Sequence, residues 1–161
     1  MPIPETDNIQ FTRAEPDDAA TLTEVAIRSF ADEVAQYGRG PDGHDQIEQH
    51  LSFMQQALYY KICSADQIIG GFCLIELAAD HLELGIIFLD PDVQNKRVGS
   101  RAMRFMEQMY PQVKTWTLDT GFESFRNQRF YEKCGYVQVG RTDADPETGF
   151  YKVLYQKMIA E

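Results

Sequence analysis

The sequence lacks several things, and each absence removes a class of protein. No apolar run approaches the roughly 18 residues of a membrane-spanning helix. The start, Met1-Pro2-Ile3-Pro4-Glu5-Thr6-Asp7, has neither a basic beginning nor an apolar core. Residues 1–8 therefore read as a frayed lead-in and not as a secretory signal. There are only three cysteines, Cys63, Cys73 and Cys134, and no two are close-spaced. That predicts reduced, buried thiols in a cytoplasmic protein. His44 and His50 lie six apart without nearby cysteines, so no metal site is expected. Basic residues are few, 15 against 25 acidic, for a net charge of −10. Such a field repels phosphate backbones and excludes sequence-independent nucleic-acid binding. It favours a cationic partner, or simply keeps the protein in solution.

What is present fits one domain spanning residues 1–161. The chain is 43 % apolar, and no repeat, low-complexity stretch or long linker divides it. Residues 9–13 alternate as a short strand, and Glu15-Pro16-Asp17-Asp18 opens a helix. Leu22, Val25, Ala26, Ser29 and Phe30 share one face of that helix, and the glycines at 38, 40 and 43 end it. Ile47, His50, Leu51, Met54 and Leu58 make the stripe of a second helix. Strand-like runs follow at 59–64, 68–77 and 81–89, joined by short polar links as a meander. In the last run Leu82, Leu84, Ile86 and Phe88 are expected on one face, with His81, Glu83, Gly85 and Ile87 on the other.

The period then changes. Val98, Ala102, Phe105, Met106 and Met109 repeat at helical spacing up to Pro111, and 113–119 is the next strand. This unit is long enough for a right-handed crossover between parallel strands. A short helix over 127–134 and strands at 136–141 and 150–158 complete the chain. The expected fold is α+β: a mixed, mostly antiparallel sheet of about seven strands with a central βαβ crossover and about four helices.

The stretch Asp90-Pro91-Asp92-Val93-Gln94-Asn95-Lys96-Arg97-Val98-Gly99-Ser100 carries the chemistry. A strand ends, a polar loop turns and a helix begins. The first N–H groups of a helix have no internal partner and face the positive end of the dipole, which suits an anion. Arg97, Arg101 and Arg104 add a basic stripe beside Lys96. Many such loops bind nothing, so the spacing alone leaves an anion site and a plain connection open.

This stretch resembles the acetyl-CoA signature of the GCN5-related N-acetyltransferase (GNAT) superfamily. That signature is Gln or Arg, two residues, Gly, one residue, Gly or Ala. Gln94 and Gly99 match, and Arg97 stands where the first glycine is expected. A second block, Asn127-Gln128-Arg129-Phe130-Tyr131-Glu132-Lys133-Cys134-Gly135-Tyr136, is similar to the superfamily's later helix and strand. Ser124 takes the place of an asparagine common there. The element order agrees from about Phe11 to Met158.

The resemblance implies transfer of an acetyl group from acetyl-CoA to the primary amine of a small molecule, in a single acetyltransferase domain. It implies that Gln94, Asn95, Lys96, Arg97, Val98, Gly99 and Ser100 hold the pyrophosphate. Ile87, Phe88 and Leu89 then border the pantetheine arm, with Asn127 and Tyr131 beside it. Tyr131 matches the residue that protonates the leaving thiolate, and the alternative for it is a core aromatic. Glu83 is the candidate base and is equally well read as a solvated strand residue; His81 and Glu76 are further candidates. The acceptor is expected between the loops 39–45 and 142–149, where Asp42, Asp45, Asp143, Asp145 and Glu147 would attract a cation. Two other readings stay open: acetylation of a protein or peptide, and an acyl-CoA sensor without catalysis. Met103, Met106 and Met109 pack either the core or a second subunit in a homodimer.

Overall fold

The computed structural model describes residues 8–94 and 96–160; the lead-in at 1–7 and Asn95 lie outside them. The strands are β1 (Ile9–Arg13), β2 (Leu58–Ser64), β3 (Gln67–Ala78), β4 (His81–Leu89), β5 (Thr115–Gly121), β6 (Val137–Arg141) and β7 (Lys152–Met158). The helices are α1 (Ala19–Ser29), α2 (Ala31–Tyr37), α3 (Ile47–Gln56), α4 (Val98–Met109) and α5 (Phe125–Lys133). The strands form one sheet in the order β1-β2-β3-β4-β5-β7-β6. Every neighbouring pair is antiparallel except β4 and β5, which α4 joins as a crossover. The expected α+β fold is therefore present, with five α-helices where the sequence suggested about four. The extra one arises because Phe30 leaves helical geometry (φ −99°, ψ 7°) and separates α1 from α2. Its ring packs instead against Phe88 and His44.

Two cores lie on opposite faces of the sheet. One gathers Tyr60, Phe72, Leu74, Leu82 and Leu84 with Val98, Ala102, Met103 and Met106 of α4. The other gathers Leu22, Val25 and Ala26 of α1 with Tyr59, Cys73, Ile86 and Phe88. The division of β4 between them corrects the single apolar face expected for Leu82, Leu84, Ile86 and Phe88. Cys73 pairs with Ile86 and the next residue, Leu74, pairs with Leu84, so Gly85 is an extra residue on β4. A bulge of this kind bends the strand and shifts its alternation by one. Leu82 and Leu84 therefore face α4, and Ile86 and Phe88 face α1.

The parallel pairing of β4 with β5 runs from His81–Thr115 to Leu84–Leu118 and stops there. Beyond the bulge, β4 keeps its pairing with β3 up to Leu89 while its other edge is free of β5. The two strands thus splay apart at the centre of the sheet, at the carboxyl ends of both.

The remaining predicted structural residues are accounted for. His50 is fully buried; its Nδ1 meets the Tyr59 hydroxyl at 2.7 Å and its Nε2 the His44 carbonyl oxygen at 2.7 Å. Among the described residues no cluster suits a metal. Met103 and Met106 are core, whereas Met109 is exposed. Burial pushes the Cys73 thiol up to about 12, and it raises Cys134 as well, so neither is poised as a nucleophile.

Candidate functional site

Two hollows open on the splay. The larger, about 700 Å³, is lined by Ile87, Phe88 and Leu89 of β4, by Gln94, Arg97, Val98, Gly99 and Ser100, and by one side of α5. The smaller, about 500 Å³, lies towards α2 and α3. Phe30, Phe53, Phe150, Glu83 and Asp119 are among its lining residues. Glu33, Ile87, Ser124, Asn127 and Tyr131 border both, so the hollows meet beside Tyr131.

The larger hollow has a helix N-terminus at one end, where an anion can be accommodated. The Arg101 N–H donates to the Arg97 carbonyl oxygen at 3.1 Å, the first bond of α4. The N–H groups of Val98, Gly99 and Ser100 precede it and have no acceptor within the helix. Gly99 must be small, because a Cβ there would sit 3.0 Å from Phe130 Cζ. Arg97 is in the left-handed region (φ 65°, ψ 13°), which explains why glycine suits this place in the motif. An arginine pays a steric cost there. Arg97→Gly is therefore expected to raise stability by up to about 1 kcal/mol, read from denaturant unfolding.

On the β4 side, the Asp90 N–H donates to the Ile69 oxygen of β3 at 2.7 Å. Strand alternation then turns Leu89 and Ile87 to the open edge. The Leu89 N–H is taken by Ser29 Oγ at 3.2 Å, and the Leu89 carbonyl accepts from Gln94 Nε2 at 3.2 Å. The Ile87 backbone is left facing the splay, where a polar chain can pair with it.

The sequence reading of the cations needs correction. Lys96 is exposed and lines neither hollow, nor do Arg101 and Arg104. The larger hollow takes its positive charge from Arg97 and from Arg126, Arg129 and Lys133 of α5, against Asp32, Glu33 and Glu123 on its α2 side and at the turn before α5. Of these cations, the three on α5 follow i, i+3, i+7 spacing, a signal in the sequence that marks one helix face.

The smaller hollow is acidic. Glu33, Asp42, Glu83, Asp119 and Glu123 line it, against Arg39 and Lys152. Glu83 is half-buried; burial and the charge of Asp119 raise its pKa, opposed by His81 and Lys152. His81 lies outside the hollow and meets Thr117 Oγ1 at 2.8 Å through Nε2, and Glu76 is exposed outside it. Asp42 of the loop 39–45 lines it, whereas Asp45 and the loop 142–149 do not, and the rest of its acidity comes from α2, β4, β5 and the turn before α5. Glu33, Asp119 and Glu123 carry no local sequence signal, because the fold alone brings them together.

Tyr131 is 8 % exposed and lines both hollows. Burial first, then the Glu33 charge, hold its phenol above its usual pKa, so it is protonated at neutral pH. Among the described residues its hydroxyl has no hydrogen-bond partner. Asn127 Nδ2 donates to Glu33 Oε1 at 3.0 Å, tying α5 to α2.

Residues 55–138 match the GNAT acetyltransferase domain family. The match covers just over half of the chain, and the protein belongs to that family. The fold is similar to the PaiA N-acetyltransferase of Thermoplasma acidophilum in complex with coenzyme A. That match has a TM-score of 0.77 and 19 % identity, and it covers 94 % of this chain and 99 % of that one. A ribosomal-protein-alanine N-acetyltransferase from Escherichia coli gives a TM-score of 0.70 at 13 % identity, over 95 % of each chain. The uncharacterized Bacillus subtilis protein YrkN is 27 % identical over 99 residues, 60 % of this chain. The match spans about half the length of that relative, 54 %.

Proposed function

We propose that the protein is an acetyl-CoA-dependent N-acetyltransferase acting on a primary amine of a small, cationic molecule. The observation that carries this reading is the meeting of a basic hollow and an acidic hollow at Tyr131, under the splay of β4 and β5. Coenzyme A bound to a similarly folded acetyltransferase supports the choice of donor. Acetyl-CoA supplies the acetyl group as an activated thioester.

The residues present suit that donor. The N–H groups of Val98, Gly99 and Ser100, with Arg97, would hold the pyrophosphate at the positive end of α4. Gln94 would hold the loop against β4 through Leu89. Ile87, Phe88 and Leu89 would border the pantetheine arm, and the Ile87 backbone would pair with it. Leu89 N–H is committed to Ser29, so Ile87 is also the better-placed backbone donor to the thioester oxygen.

In the smaller hollow Glu83 would take a proton from the acceptor ammonium, directly or through one water, because nitrogen attacks only with a free lone pair. Tyr131 would give its proton to the sulfur as the carbon–sulfur bond breaks. The acidic lining supports a cationic acceptor. A carboxylate and a phenol facing the junction count against a sensor that binds acyl-CoA without turnover.

The test is release of free thiol from acetyl-CoA over a panel of amines. Mono- and diamines, an aminoglycoside and a lysine peptide should be included. The expected result is turnover with at least one small cationic amine. Turnover confined to the peptide would move the assignment to protein acetylation, and native mass spectrometry without bound CoA would overturn it.

A further inference from the structure

The carboxylate of Glu33 sits where the two hollows meet, and the acetyl-transfer chemistry assigned to Glu83 and Tyr131 leaves it without a task. It is held there from outside the sheet. Helix α2 buries none of its residues, yet it is tied across the splay at two points. Asn127 donates to Glu33, and the Tyr37 hydroxyl donates to the Glu123 carbonyl oxygen at 3.1 Å. Burial raises the Glu33 pKa, partly offset by Asn127 and by His44.

Desolvating a carboxylate is costly unless a cation or several donors compensate. Among the described residues, Asn127 is the one polar partner of the Glu33 side chain. The two cations lining the smaller hollow are directed elsewhere. Lys152 lies 3.8 Å from Asp119, and the Arg39 guanidinium sits 4.3 Å above the Phe150 ring. Beside Glu33, the Tyr131 hydroxyl has no hydrogen-bond partner among the described residues, and Tyr131 lines both hollows. Two polar groups of complementary demand, an acceptor-only carboxylate and a phenol, thus face one junction with room for a ligand.

A cation satisfies this arrangement. A monoamine does so only by placing its reacting nitrogen at Glu33, whereas that nitrogen has to give a proton to Glu83 and approach the thioester carbon to react. A second ammonium on the same molecule keeps its charge throughout, so its contact with Glu33 persists as the transition state forms. We propose that Glu33 receives a second cationic nitrogen of the acceptor, making the protein selective for diamines and longer polyamines over monoamines. This assignment rests on the reading of the smaller hollow as the acceptor site. Glu33 acts here as a specificity-determining residue, and Glu83 keeps the proton transfer.

The experiment is calorimetric titration of the full chain, saturated with CoA, with 1,4-diaminobutane and with n-butylamine. The unchanged protein, Glu33→Gln and Glu33→Asp are compared. Glutamine keeps an oxygen for Asn127 and removes the charge, and aspartate keeps the charge. The expected result is about tenfold tighter binding of the diamine than the monoamine. Glu33→Gln should abolish that preference and Glu33→Asp retain part of it, with melting temperatures preserved in both. Equal affinities for the two amines, no measurable diamine binding, or a preference that survives Glu33→Gln would each overturn the assignment. A structural role alone would weaken both amines equally, which also overturns it. Saturation with CoA is read first in the same samples. CoA binding without diamine preference overturns the Glu33 assignment alone, whereas absent CoA binding overturns the acetyl-transfer reading with it.

Discussion

Tyr131→Phe should lower kcat about 100-fold, the scale on which a positioned general acid contributes. The side-chain packing predicts that little else changes. The ring contacts Phe130, Tyr136 and Tyr155, and phenylalanine preserves those contacts. The hydroxyl has no hydrogen-bond partner to lose among the described residues. The donor KM and the melting temperature should therefore stay close to those of the unchanged protein, placing the loss in the chemical step. Steady-state thiol release with acetyl-CoA and the best amine of the panel measures this. A variant at full rate removes Tyr131 from the mechanism.

Glu83→Gln should cost a similar factor, about 100-fold in kcat/KM, and should also change the pH profile. Burial and the Asp119 charge raise the Glu83 pKa above its ordinary 4.5, while His81 and Lys152 pull it down. A carboxyl with a raised pKa stays protonated to higher pH, and only its ionised form accepts a proton. Activity should therefore rise with pH along an acid limb lying above the ordinary carboxylate range. In Glu83→Gln that limb should disappear, leaving the titration of the amine itself. Asp119→Asn removes the neighbouring negative charge and should move the limb to lower pH. Profiles of kcat/KM for the three proteins provide the check; an unchanged limb in Glu83→Gln assigns the base elsewhere.

Much of this architecture was legible in the sequence because alternation and helical spacing report directly on burial. The βαβ crossover followed from the change of period after Leu89. The turn into α4, proposed here to hold the pyrophosphate, followed from a strand, a polar loop and Gly99 in that order. What stayed hidden depended on single residues or on distant parts of the chain. The Gly85 bulge reverses the faces of β4, and glycine also occurs in plain strands. The break at Phe30 follows from its ring packing against Phe88 and His44, more than ten residues away. Lys96 and Arg97 are adjacent, but only Arg97 lines the larger hollow. The acidic loop 142–149 looked suited to a cation by composition, whereas Glu33 of α2, Asp119 of β5 and Glu123 of the turn before α5 come from separate parts of the chain.

Gly85 also makes the pleat of β4 a constraint at the centre of the sheet. Two cores and two hollows depend on the parity of one strand, set by one residue that β3 does not match. A substitution along β4 alters one wall. If Gly85 were instead paired in plain alternation, Ile86 and Phe88 would turn away from α1 and Ile87 and Leu89 would turn towards it. The backbone now facing the splay would then face β3. The bulge at Gly85 thus decides which β4 side chains each core receives and which backbone groups reach the splay.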